Sequence, residues 1–126
     1  MEFPDDLKYT DKHMWVRVDG SEITVGLTAY AADEMGEIVY VELPEEGEAA
    51  VAGEPFGSIE STKAIEDLVA PVGGKVKKVN TEVVDAPESI NEDPYGNGWL
   101  VVVDAEDVKQ VDELLSAADY EAQMAK

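Results

Sequence analysis

Very few side chains in this 126-residue sequence could do chemistry unaided. There is no cysteine, hence no thiol nucleophile, disulfide or thiolate metal ligand. His13 is the only histidine, so no pair of imidazoles can share a metal or relay a proton. A Ser-His-Asp arrangement would have to use His13, and no serine sits in a G-x-S-x-G setting. Neither G-x-G-x-x-G nor a phosphate-loop lysine motif occurs. The acidic runs "NED" (91–93) and "DAED" (104–107) lack the spacing of a calcium loop and read as solvated surface. What is left is one amine. Lys63 stands in "ESTKAIED" (60–67), between two β-type segments and among Glu60, Glu66 and Asp67.

Two readings of Lys63 are open. One is a surface lysine making ion pairs worth under ~1 kcal/mol each. The other is a point of covalent attachment at the tip of a hairpin. Thr62-Lys63 is a poor two-residue turn, because neither residue takes positive φ easily. A poor turn pair at an exposed tip suits selection for something other than turning. The nearby carboxylates favour the protonated amine, which makes it a weak nucleophile and a poor Schiff-base catalyst. Acylation would therefore need an enzyme and an activated acyl donor, and would remove the charge.

The elements that must present this residue are mostly strands. "MWVRVDG" and "EITVGL" read as a hairpin over residues 14–27, turning at Asp19-Gly20. Thr28 can cap a short helix over "AYAADEM", closed by Gly36. "EIVYVELP" is a strand ended by Pro44, and "EEGEAAVAGEP" reads as turns around a short strand. "FGSIES" and "AIEDLVAP" flank Thr62 and Lys63, and "GGKVKKVN" is a further strand. Residues 85–98 are irregular, with Pro87 in the first turn of a short helix and a turn at Pro94 and Gly96. "WLVVVDA" is a strand buried on both faces. Val108, Val111, Leu114 and Leu115 recur with helical spacing, and Ser116 with Asp119 forms a capping box for a final helix over "AADYEAQMAK". Trp15 and Trp99 read as core or rim anchors. The close strand spacing predicts a mainly β fold, a small barrel or sandwich with short helices. One domain is expected over 1–126, with a core at about 7–104 and a helical segment at about 107–126.

Charge narrows the function classes. With 29 acids against 9 bases the net charge is −20, which argues against nucleic-acid or anionic-membrane partners and favours a monomer. The acids run along the whole chain, as in a surface adapted to high salt, where the screening length falls to ~3 Å at 1 M. No run approaches the roughly 18 apolar residues of a membrane span. "MEFPDDLKYT" has no apolar signal core, so a cytoplasmic location is expected.

Several stretches, in order, resemble one family. "ESTKA" is similar to its Glu-Ser-Val-Lys-Ala modification motif, with Thr62 for the usual Val, and "HMWV" to its His-Glu-Trp-Val. "VGLTAYAADEMGEIVYVELPEEGE", "GEPFGSIEST", "APVGGKVKKVN", "INEDPYGNGWL" and "ELLSAADYEA" match further segments, so the resemblance spans residues 7–122. The family is the H protein of the glycine cleavage system. The resemblance implies a barrel-sandwich hybrid of the lipoyl/biotinyl type, two small antiparallel sheets with short helices including a C-terminal one. It implies lipoic acid in amide linkage on Lys63, placed there by a lipoate-attaching enzyme, in a carrier with no catalysis of its own. That carrier would take the aminomethyl group of glycine from the decarboxylating glycine dehydrogenase (P protein) to the aminomethyltransferase (T protein). The dihydrolipoyl dehydrogenase (L protein) would reoxidise it. The resemblance also implies a cleft that shelters the loaded arm, with Leu27, Glu34 and Asp67 at its lining positions. Met14 stands where the family has an acidic residue. A lipoyl or biotinyl domain of another carrier, a lipoate relay and an unmodified structural domain are the alternatives. The first would show Asp-Lys-Ala or Met-Lys-Met at the tip, would be shorter and would lack the C-terminal helices.

Overall fold

The computed structural model describes residues 3–124. Nine strands and four α-helices follow in order: β1 (Lys8–Tyr9), β2 (Met14–Asp19), β3 (Glu22–Leu27), α1 (Ala29–Met35), β4 (Ile38–Glu42), β5 (Ala49–Ala50), β6 (Pro55–Ser61), β7 (Ile65–Val69), β8 (Gly74–Val79), α2 (Thr81–Asp85), α3 (Glu88–Glu92), β9 (Val101–Ala105) and α4 (Ala117–Met124), with a 3-10 helix at Val108–Glu113 before α4. The strands form two antiparallel sheets, one in the order β1-β2-β3-β9-β8-β5 and the other β4-β6-β7. The mainly β fold of two antiparallel sheets with a C-terminal helix is thus the one expected.

The sequence pattern explains the layers. Side chains alternate across a strand, and in β2 Met14 and Val16 point to one face while Trp15 and Arg17 point to the other. Met14 and Val16 join Ile23, Val25, Val76, Val101 and Val103 of the larger sheet against Ile38, Val41, Ile59 and Leu68 of the smaller one. Each such fully buried aliphatic side chain stabilises by roughly 1.5–3 kcal/mol, so this shared core holds the sheets together. On the opposite face Trp15 joins Leu7, Tyr9, Ala117 and Tyr120 in a second, aromatic cluster. Tyr9 stacks on Tyr120 with ring centroids 5.0 Å apart, and the Tyr9–Leu115 bridge draws the chain before α4 onto β1. A Cβ on Gly26 would run into the Trp15 indole, which is why that position of β3 takes glycine.

Local differences from the sequence reading have physical causes. The β2–β3 turn is Gly20-Ser21, not Asp19-Gly20, because Asp19 still pairs with Glu22. Gly20 supplies the positive φ of 64°, as a type II′ turn requires at its first central residue. Helix α2 begins at Thr81, between the expected strand "GGKVKKVN" and the expected irregular segment at 85–98. Thr81, Val83 and Val84 look β-type, but Asn80 caps the turn through its side chain to the Glu82 N–H. The stretch with helical spacing at 108–115 holds a 3-10 helix only over Val108–Glu113, capped by Asp107, and Leu115 instead bridges to Tyr9. Ser116 accepts from the Asp119 N–H at 3.2 Å, as a capping residue does, and the last two residues of "AADYEAQMAK" lie outside the described ones.

Candidate functional site

The β6–β7 hairpin carries Lys63 at its tip. Glu60 pairs with Ile65, and the Ser61 N–H donates to the Ala64 carbonyl at 2.8 Å. The turn avoids the conformation that its residues resist: neither Thr62 nor Lys63 has positive φ. The Ser61 hydroxyl replaces a glycine here, accepting from the Lys63 and Ala64 N–H groups, each at 3.1 Å. A serine preceding a tight turn by one residue is a readable signal of this arrangement, and it is the feature that the sequence reading of the tip missed. The Thr62 N–H also donates to the Glu37 carbonyl, tying the tip to the chain after α1.

The Lys63 side chain is exposed. Its Cε lies 3.0 Å from the point that a Cβ on Gly36 would occupy, so the lysine stem crosses the C-terminal end of α1. Gly36, at φ 79°, closes that helix and keeps the crossing open. Glu60, Glu66 and Asp67 make no ion pair with the amine. Among the described residues the ion pair is Lys77 with Glu22, elsewhere on the surface. Lys63 thus has a fixed backbone and an uncommitted side chain.

Beside the tip is a cleft of about 340 Å³ between α1, the smaller sheet and the loop before β2. Leu27, Glu34 and Asp67 all line it, joined by His13, Tyr30, Glu66 and the apolar Ile59. Met14 does not: it is fully buried in the aliphatic core.

His13 was not among the expected site residues, and its setting is the most organised in the cleft. Its φ of 67° is uncommon for a non-glycine residue. The His13 N–H donates to the Thr10 carbonyl at 3.1 Å, and its carbonyl accepts from the Thr28 N–H at 3.0 Å. The ring Nδ1 lies 2.7 Å from the Tyr120 hydroxyl, which lies 2.9 Å from Thr28 Oγ1. Thr28 Oγ1 in turn accepts from the Ala31 N–H and so caps α1. Tyr120 and Thr28 are wholly buried. Burial raises the Tyr120 hydroxyl to about 12 despite the Thr28 hydrogen bond, which acts the other way. Burial also lowers the His13 pKa, with Asp11, Glu66 and Glu34 opposing and Lys12 assisting. No sequence spacing announces a pair 107 residues apart.

An exposed lysine on a serine-built tip, above a half-apolar cleft edged with carboxylates, suits a tethered group that swings out and folds back. Comparison with known proteins identifies the family. The family model described as "Glycine cleavage H-protein" matches residues 7–126. A glycine cleavage system H protein of Cyanothece is 52% identical over 124 residues, covering 98% of this chain and 96% of that protein. A chain named "Probable glycine cleavage system H protein" from Haloarcula marismortui is 50% identical over 123 residues, covering 98% and 97%. The crystal structure of a glycine cleavage system H protein from Mycobacterium marinum superposes with a TM-score of 0.90 at 42% identity, covering 98% of this chain and 100% of that one. On sequence and fold together, the chain belongs to the glycine cleavage H-protein family.

Proposed function

We propose that the chain is a lipoyl carrier of glycine cleavage, with lipoic acid in amide linkage on Lys63 and no catalysis of its own. The observation that carries this reading is the Lys63 tip: an exposed amine, without an ion-pair partner among the described residues, on a turn braced by Ser61 and Glu37. The residues present fit the group. The amine is open to an acylating enzyme, and the cleft beside it offers Leu27 and Ile59 as apolar wall with Glu34 and Asp67 as acceptors. When bound, the group supplies a cyclic disulfide able to accept the aminomethyl fragment of glycine from the P protein, yield it to the T protein and return to the disulfide through the L protein.

The chain's own contribution is to hold and to shield. The hairpin fixes the root of the arm, and tethering raises its local concentration at each docked partner. Leu27 and Ile59 exclude water from whatever lies in the cleft. Glu34 and Asp67 can pair with a protonated amine there. Among the described residues no helix is long and apolar enough to cross a membrane, and the acidic surface suits a cytoplasmic monomer that meets basic partner surfaces.

The test is intact mass after incubation with lipoic acid, ATP and a lipoate-attaching enzyme, followed by fragmentation of the peptide that holds Lys63. One lipoyl addition on Lys63, together with stimulated glycine–CO2 exchange by the P protein, is expected. A lipoylated chain that supports no exchange would instead indicate a lipoate relay. A chain left bare would remove the carrier reading.

A further inference from the structure

The hydrogen bonds at His13 leave one direction for the protons to run. Thr28 Oγ1 accepts from the Ala31 N–H, so its single hydroxyl proton must be given elsewhere. The Tyr120 hydroxyl is its one other partner among the described residues. If Thr28 donates to Tyr120, the Tyr120 proton is free to go to His13 Nδ1, and every group in the chain is satisfied. If Nδ1 instead carried the proton and donated to Tyr120, the tyrosine would donate to Thr28. The buried Thr28 hydroxyl would then have no acceptor, a costly state for a buried donor. The order is therefore Ala31 N–H to Thr28, Thr28 to Tyr120, Tyr120 to Nδ1. The His13 proton sits on Nε2, the nitrogen that makes no hydrogen bond among the described residues.

We propose that His13 is fixed as its Nε2–H tautomer by this one-way chain through Thr28 and Tyr120, and that its N–H is the cleft's donor to the sulfur end of the arm on Lys63. This rests on the carrier reading above. A loaded arm brings two unlike polar ends, an amine and a sulfur. From α1 and β7 the groups facing His13 are Tyr30, Glu34, Glu66 and Asp67. The carboxylates suit the amine and repel a thiolate. From its own loop come Asp11 and Lys12, both exposed. The neutral donors among them are His13 and the Tyr30 hydroxyl, and of the two His13 is the one held on three sides, by its own backbone bonds, by Tyr120 and by the Tyr30 ring at 5.2 Å. Protonating the ring would put a proton on Nδ1 and force the chain to reverse, so the geometry itself favours the neutral form, in keeping with the lowered pKa. Tyr120 acts here as a positioning residue through His13.

A single histidine makes the test clean. Long-range proton–nitrogen correlation on the full, unlipoylated chain near neutral pH reads the tautomer directly. Nδ1 should be unprotonated and coupled to the Tyr120 hydroxyl proton; a proton on Nδ1 would overturn the assignment. On the lipoylated chain, the Nε2–H resonance should shift between the oxidised and reduced arm. An Nε2–H indifferent to the arm's redox state, on a chain whose mass shows lipoate in place, would overturn the sulfur contact and leave the carrier reading standing. Failure of attachment would remove the carrier reading and the sulfur contact together, without touching the tautomer result. Tyr120→Phe should keep full lipoylation but lose most of the redox-dependent shift. A shift of undiminished size in that variant would overturn the positioning role of Tyr120.

Discussion

The tip of the β6–β7 hairpin and the anchorage of His13 solve opposite problems within one small fold. At the tip the backbone is braced by Ser61 and by the Thr62–Glu37 bond, while the side chain that matters is exposed and uncommitted. At His13 the side chain itself is committed, to the wholly buried Tyr120 on α4 and through it to the wholly buried Thr28 that caps α1. The first arrangement costs little to alter and governs what can be attached. The second is knitted into the packing of the C-terminal helix and governs what the cleft offers. On the carrier reading, a mobile group needs a receptor that does not move, and the two regions would divide that labour.

The contrast is broken most directly at Lys63. Lys63→Arg should abolish lipoate attachment, read as no mass gain, while the thermal midpoint stays near that of the parent, since exposed substitutions usually lie within about 0.5 kcal/mol. A large loss of stability would show that the tip is structural after all. At the other region the expected pattern is reversed. Tyr120→Ala should cost about 3–5 kcal/mol through the cavity it leaves in the aromatic cluster, and Tyr120→Phe about 1–3 kcal/mol by stranding the buried Thr28 hydroxyl. Chemical denaturation of both variants, each still accepting lipoate, measures the difference.

Ser61→Ala sharpens the comparison from within the tip. Two N–H groups at a partly exposed turn lose their acceptor, so a loss of about 1 kcal/mol is expected, with lipoylation slowed but retained. Acidification tests the anchorage again. The His13 pKa is lowered in the folded chain below its ordinary 6.5, so the unfolded chain binds the extra proton first. The His13 contribution to stability is then complete above 6.5 and is lost as the pH falls through the folded value. Comparing the pH dependence of the urea midpoint with that of His13→Gln isolates it. The smallest difference between the regions concerns salt. The net charge of −20 should make the whole chain more stable from low to molar salt. That rise should be shared by all these variants, and a flat or falling midpoint would remove the salt-adapted reading of the surface.

Much of the scaffold was legible because its signals are local. Thr28 and Gly36 mark both ends of α1, the alternation at Trp15 to Val18 marks β2, and β-type runs on either side of Thr62 and Lys63 mark the hairpin. Leu27, Glu34 and Asp67 could be placed together only through resemblance, and the cleft does bring them to one lining. The misses arise where a local signal was outvoted or where none exists. Asn80 outweighs the β-type residues that follow it. Ser61 makes a turn that Thr62 and Lys63 alone would not. The Tyr120–His13–Thr28 contact joins three distant parts of the chain through packing, and packing has no period to read.

Helix α1 sets a scale that neither region could supply alone. Its first residues hang from the Thr28 cap and its last turn lies under the lysine stem. Seven residues at a rise of about 1.5 Å each amount to a strut of roughly 10 Å. One residue more or fewer would rotate its far end by about 100° and change the span by about 1.5 Å, so on the carrier reading a group on Lys63 would meet the wrong wall on its return. On the carrier reading, this short rigid rod acts as a gauge block, cut to match a tether that the ribosome does not make.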